Sequence, residues 1–318
     1  MCTIKVFTFS LLFSFSCYNV AAQSDAAKAK ELGMAAIKLE DEGKADDALE
    51  LLAKAKALDP SNYVYSYEMA YCYKVKKEYK QGIAIMQNVV KMSGIREECY
   101  QMLGNLYDMD GDSSRALKTY AEGLKVFPNA GQLYLETGNV YFGYEEYNKA
   151  LPFYEKGIEA DPTFSSNYYR ATQIYTASSE AIWGMIYGEI FMNLERNSDR
   201  TANVSKWLYD TYKANIEIHS KDSMGVHFSK NIIVNVDDIT DKHHKFKLPF
   251  NMIYEPVMLM SLILTDSINT ETLCSMRKKF IEIYFEKNYD TDHPNVLFSY
   301  QKSIEKQVLL MPITIGFL

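Results

Sequence analysis

Cysteine is scarce in this 318-residue chain: five in all, at positions 2, 17, 72, 99 and 274. None forms a CxxC pair, so neither a disulfide framework nor a structural zinc site follows from the spacing. Long apolar runs are also missing. Beyond residue 22 and before the last ten residues, the longest is Val257 to Leu264 with Ser261 inside it. That is too short for a ~30 Å hydrocarbon core, so no transmembrane segment is expected. A strongly basic patch is absent and the net charge is −7, which argues against nucleic acid and anionic lipid surfaces as partners. The chain lacks a GxSxG elbow, an HExxH helix, a Walker loop and a GxGxxG turn. No catalytic residue, cofactor or enzymatic activity is expected. What remains is a chain with 47% apolar residues, ample for a packed core.

The two ends carry their own signals. Residues 1–22 read as a secretory signal peptide. Lys5 is a small basic region, Val6 to Phe15 is apolar, and Val20-Ala21-Ala22 supplies the small residues a signal peptidase needs. An exported protein, periplasmic or secreted, beginning at Gln23 is expected. A lipid anchor on Cys17 is disfavoured, because Ser14-Phe15-Ser16 lacks the usual leucine. At the other end, Leu309 to Leu318 has no charge and contains Pro312 and Gly316, so a truncation or frame shift after about Lys306 is expected.

Between the ends runs a 34-residue period. Tyr107, Tyr141 and Tyr175 keep it, as do Gly104 and Gly138, Ala116 and Ala150, Tyr120 and Tyr154, and Pro128 and Pro162. A fixed period of this length means one supersecondary unit stacked repeatedly, each copy covering a face of the next. The motifs resemble the tetratricopeptide repeat, a pair of antiparallel helices. Units fall at 29–62, 63–96, 97–130, 131–164 and 165–198, followed by a capping helix at 203–216. Gly104 and Ala116 would let paired helices approach closely. Pro60, Pro128 and Pro162 would end their units, helped by Asp59 and Asp161, because a residue before proline is pushed out of the helical region. The second unit has Gly94 in place of that proline, and the fifth departs at Gly184, Gly188 and Phe191. Cys72 and Cys99, on neighbouring leading helices, would be roughly 10 Å out of register, so buried free thiols are expected.

From residue 220 to 318 a separate α+β region is expected. Val226 to Phe228, Ile232 to Val236 and Lys245 to Phe250 suggest a small β-hairpin or sheet within 224–250. A helix from Glu255 to Leu264 follows, then one capped by Asn269 and reaching Tyr289, then a last helix with Pro294 as its first residue. The expected fold is thus mostly α: a tetratricopeptide-type α-solenoid of helix pairs with a C-terminal helical region carrying a small hairpin.

Two constellations invite a metal and fail on spacing. Asp108, Asp110 and Asp112 around Gly111 resemble a calcium loop, but Thr119 stands where its last acidic ligand belongs. His243 and His244, near Asp237, Asp238 and Asp241, lack a third ligand at metal spacing. No metal site is expected. The resemblance instead implies a protein or peptide partner of unspecified identity in the concave groove of the stacked leading helices. It carries over to Tyr67, Tyr71, Lys74, Gln101, Asn105, Asp108, Gln132, Asn139, Phe142, Tyr169 and Gln173. Amides there can pair an extended backbone, and aromatic faces can hold side chains. Two alternatives stay open: a glycan or cell-wall binder using Tyr67, Tyr71, Phe142 and Tyr169 as platforms, and an enzyme with a site near His219, His227 or His243.

Overall fold

The computed structural model describes residues 24–220, 223–230, 247–262 and 267–306. The signal-peptide expectation, the 232–236 strand, His243 and the terminal segment beyond Lys306 lie outside these residues. The chain divides into two compact units, Met1–Tyr144 and Glu145–Leu318.

The first unit is a run of helices: α1 (24–41), α2 (Ala45–Leu58), α3 (Tyr63–Val75), α4 (Tyr79–Val89), α5 (Glu97–Met109), α6 (Ser113–Val126) and α7 (Gly131–Gly143). From α2 on, each helix packs on the next, and α5 also touches α3 and α7, so leading helices lie side by side. Local chemistry sets the boundaries. Asp46 and Asp47 occupy the first turn of α2 and Lys56 its last, matching the helix dipole. Asn62 caps α3 by accepting from the Val64 amide, and Asp112 caps α6 by accepting from that of Arg115. Pro60 and Pro128 stand two residues past the ends of α2 and α6, where the helix has already stopped.

The close approach expected at Gly104 is real: a Cβ there would lie 2.1 Å from Cε1 of Tyr120, a side chain fully buried between α5 and α6. Cys72 and Cys99 are buried free thiols. The turn inside each helix pair needs one residue in the left-handed region, at Gly43 (φ 76°), Lys77 (φ 60°), Gly111 (φ 87°) and Glu145 (φ 60°). These positions are 34 apart, so the backbone keeps the period even where the side chain does not.

The second unit continues with α8 (Tyr147–Ala160), α9 (Ser165–Thr176), α10 (Ala181–Leu194) and α11 (Asp199–Asn215). The glycines that break the pattern at 184 and 188 serve close packing. A Cβ on Gly184 would meet the Thr176 amide nitrogen at 2.7 Å, and one on Gly188 would meet Leu208 at 2.8 Å. Ser198 and Thr201 form a capping box that starts α11.

Beyond α11 lies a hairpin that begins ahead of the expected 224–250 range. β1 (Ile216–Ser220) pairs antiparallel with β2 (Ser223–Val226), Ile216 opposite Val226. Ile216-Glu217-Ile218 alternates apolar and polar, a strand signal hidden because it abuts α11 directly. Residues 247–250 form no strand; Phe250 takes helical angles at the start of the next helix, stacked on Trp183 at 5.4 Å.

Three further helices follow the expected order with shifted ends: α12 (Asn251–Ser261), α13 (Thr270–Glu286) and α15 (Val296–Lys306), with the one-turn α14 (Tyr289–Asp292) between the last two. Asn269 caps α13 as expected, accepting from the amides of Glu271 and Thr272. Pro294 precedes α15 instead of opening it, because the Asn295 side chain takes the amides of Leu297 and Phe298. The core here gathers Tyr212, Phe228, Tyr254, Phe280, Tyr284 and Phe298 around one buried ion pair, Glu189 on α10 with Arg277 on α13. Glu189 also accepts from Gln301 Nε2 at 2.8 Å and from the Tyr212 hydroxyl at 3.4 Å.

Candidate binding face

Positions two, six, nine and thirteen of a unit fall on one stripe of its leading helix, because i, i+4, i+7 and i+11 share a face. On α3 these are Val64, Glu68, Tyr71 and Val75; on α1, Lys30, Met34, Ile37 and Asp41; on α5, Glu98, Met102, Asn105 and Met109. Six large apolar side chains on these three helices face solvent: Met34 and Val75 (both 55% exposed), Met109 (51%), Ile37, Val64 and Tyr71. The trailing helices α2 and α4 expose no large apolar residue, and α6 exposes Val126 at its end. An apolar stripe concentrated on one side of a helix stack marks a candidate interaction surface, since isolated exposed apolar residues would scatter.

The residues named from the sequence divide by role. Tyr71 is exposed, with the Lys74 ammonium 4.6 Å over its ring. Tyr67 is half-buried, and loss of solvent pushes its hydroxyl pKa up to about 12. Burial lowers the Lys74 pKa, while the Glu136 charge pulls it back. Glu136 organises its surroundings, accepting from Gln101 Nε2 at 2.8 Å and from Asn139 Nδ2 at 3.0 Å. Asn105 accepts from the Tyr120 hydroxyl at 2.5 Å, so it anchors the ring that fills the space above Gly104. Asp108 is exposed and accepts from Ser113 Oγ at 2.6 Å. Gln132 and Phe142 are half-buried on α7. Tyr169 and Gln173 belong to the second unit. Tyr169 packs on Phe191 at 5.5 Å and Trp207 at 5.2 Å, with the Arg200 guanidinium over its ring. Gln173 accepts from Arg170 Nη1 at 3.0 Å.

Sequence reasoning passed over Glu40, Glu68 and Glu136. Glu68 and Glu136 hold the sixth place of their units, and counting i, i+4, i+7 from Val64 would have found the first of them. Cys72 donates to Glu40 Oε1 at 3.1 Å, a contact that spans α1 and α3.

The other constellations resolve into local structure. Asp112 caps α6 and pairs with Arg115 Nε at 2.5 Å, and Asp110 ends α5. His219 is exposed on β1 and lies 3.1 Å from Glu217 on the same strand. His227 is exposed. Among the described residues no helix is long and apolar enough to cross a membrane.

The tetratricopeptide repeat model matches residues 129–164, which takes in the expected unit at 131–164 and the helices α7 and α8. No curated protein matches the chain. Similar solved structures include PilF of Pseudomonas aeruginosa, 13% identical, covering 60% of this chain and 86% of that one at a TM-score of 0.50. A tetratricopeptide protein of Thermus thermophilus, TTC0263, is 16% identical over 57% of this chain and 98% of its own, with a TM-score of 0.46. MamA is 21% identical over 50% of this chain and 93% of its own, at 0.41. The likeness to PilF is one of fold. With its 34-residue period and the match at 129–164, the chain carries a tetratricopeptide repeat within a helical fold like that of PilF.

Proposed function

We propose that this protein is a non-catalytic interaction scaffold that docks an extended protein segment on the leading-helix face of its first unit. The observation that carries this reading is the stripe of exposed apolar residues on α1, α3 and α5, absent from α2 and α4. Tyr71, Val75 and Met109 would supply the contact area. Gln101, Asn105 and Asn139, already held by Glu136 and Tyr120, would present fixed amides to an incoming backbone. A few such anchors commonly dominate affinity amid near-neutral neighbours. The five repeat units with their capping helix, followed by an α+β region after residue 219, complete the proposed organisation. The signal-like residues 1–22 support export and a role in the cell envelope, with Gln23 as mature N-terminus. N-terminal sequencing of protein recovered from its native envelope would check that start.

A photo-crosslinking amino acid placed at Tyr71 tests the docking reading, with the same group at exposed Ala84 on α4 as the control. Adducts from position 71 and none from 84 are the expected result. Adducts confined to position 84 would move the binding surface to the trailing helices and sink the proposal.

A further inference from the structure

The same face also carries a sign. Its carboxylates are Glu40, Asp41, Glu68, Glu98, Asp108 and Glu136, and the last three are already answered. Glu98 pairs with Arg96 at 2.7 Å, Asp108 accepts from Ser113, and Glu136 is held by two amides with Lys74 nearby. Glu40 and Glu68 are different. Among the described residues neither has a basic group within salt-bridge range, and the donor to Glu40 is the neutral thiol of Cys72. Cys72 on α3 donates to Glu40 on α1 at 3.1 Å and Glu68 stands one turn before Cys72, so both carboxylates reach the same space, on the helices that expose Ile37, Tyr71 and Val75. Burial, then repulsion by Glu40, pushes the Glu68 pKa up to about 7. Two like charges held close in partly desolvated surroundings are unfavourable, and an incoming cation relieves both terms at once.

We propose that the segment docked on this face is basic, with a lysine or arginine head seated between Glu40 and Glu68 and neighbouring apolar side chains covering Ile37, Tyr71 and Val75. This rests on the docking reading above and adds the chemistry of the partner. The flanking apolar surface explains why the pair is not simply solvated. A cation over the Tyr71 face would find the geometry already used by Lys74.

The seat has a protonic signature. Glu40 and Asp41 face it from α1, Tyr67 and Cys72 from α3, and Glu98 on α5 acts on Tyr67. Burial and the adjacent carboxylate hold the Cys72 thiol up at about 12, so it stays neutral. Glu68 is therefore the group that titrates near neutrality. A bound cation favours its ionised form, so binding near pH 7 displaces part of a proton to solvent. Affinity should tighten as pH rises from 6 to 8.

The test is selection of a random 12-residue peptide library, displayed on phage, against the purified protein and against its Glu40→Gln/Glu68→Gln variant. The expected result is enrichment of Lys- or Arg-containing sequences by the parent and their loss on the variant. A selected peptide should bind the variant about tenfold more weakly, a change of about 1.4 kcal/mol. Replacing the peptide's own basic residue by glutamine should cost a similar factor, a check that does not depend on the variant's folding. Calorimetry of that peptide in two buffers of different ionisation enthalpy should report proton release at pH 7. Enriched peptides without basic residues, bound equally by the variant but lost on Tyr71→Ala, would overturn the charge assignment while leaving the docking face standing. Enrichment of no peptide would count against docking of extended segments itself, and with it this inference.

Discussion

The left-handed turn residue offers a quantitative test of the repeat. Gly43 and Gly111 occupy it at no steric cost, whereas Lys77 and Glu145 carry side chains at φ 60°. An L-residue pays about 1–2 kcal/mol in that region, and glycine gives back roughly 0.5–1 kcal/mol in unfolded-chain entropy. Lys77→Gly and Glu145→Gly should therefore each stabilise by about 0.5–1 kcal/mol. Both side chains are exposed and appear in no ion pair among the described residues, so little else changes. The reverse exchange is cleaner still. A Cβ at Gly43 or Gly111 would have nothing within 4 Å, so alanine there reports backbone strain with no clash. Gly111→Ala should destabilise by about 1 kcal/mol. Urea unfolding followed by circular dichroism measures all four, with midpoints moving in opposite directions and slopes unchanged. A neutral Gly111→Ala together with a destabilised Lys77→Gly would refute the reasoning, because the turn would then be indifferent to handedness.

Gly104→Ala should lose about 2–3 kcal/mol, since the new methyl would stand 2.1 Å from the buried Tyr120 ring; a thermal melt reads the loss. Arg277→Ala should destabilise by about 3–5 kcal/mol by stranding the buried Glu189 carboxylate, and Glu189→Gln/Arg277→Met should recover much of it in the same melt. Glu68 gives a pH dependence with a definite sign. Its pKa is higher folded than unfolded, so the folded state holds a proton the unfolded state has lost between about pH 4.5 and 7. Its contribution to stability therefore falls as pH rises across that window, and Glu68→Gln should flatten this part of the profile in urea titrations.

Much of the fold was legible because repeats write the same physics several times. The proline stops, the Gly104 approach and the helix start at Asn269 each rest on neighbours within a few residues, and each appears where local chemistry puts it. The β1–β2 hairpin was missed because Ile216-Glu217-Ile218 follows α11 without a break, so no turn residue announced the change of period. Pro294 looked like a helix start, and the adjacent Asn295 took the role by offering its side chain to two amides. The candidate face was half visible. Family-derived positions reached Tyr71 and Asn139 but skipped the sixth place of each unit, where Glu68 and Glu136 stand. Nothing local could have revealed Glu189 with Arg277, since 88 residues separate the partners.

That separation has a consequence for how the two units come to be folded. In the first unit the side-chain bonds span about one repeat, as between Gln101 and Glu136, 35 residues apart. Such a stack can grow from any point and fray from its ends, one helix pair at a time. In the second unit Glu189 waits for Arg277 and then for Gln301, 112 residues further along the chain. Until the last helix arrives, α10 carries a carboxylate meant for the interior with nothing to neutralise it. Closing loops of that length is slow and all-or-none. During synthesis the leading repeats can therefore be in place while α10 still awaits its partners, and the second unit should acquire its protease resistance in a single late step.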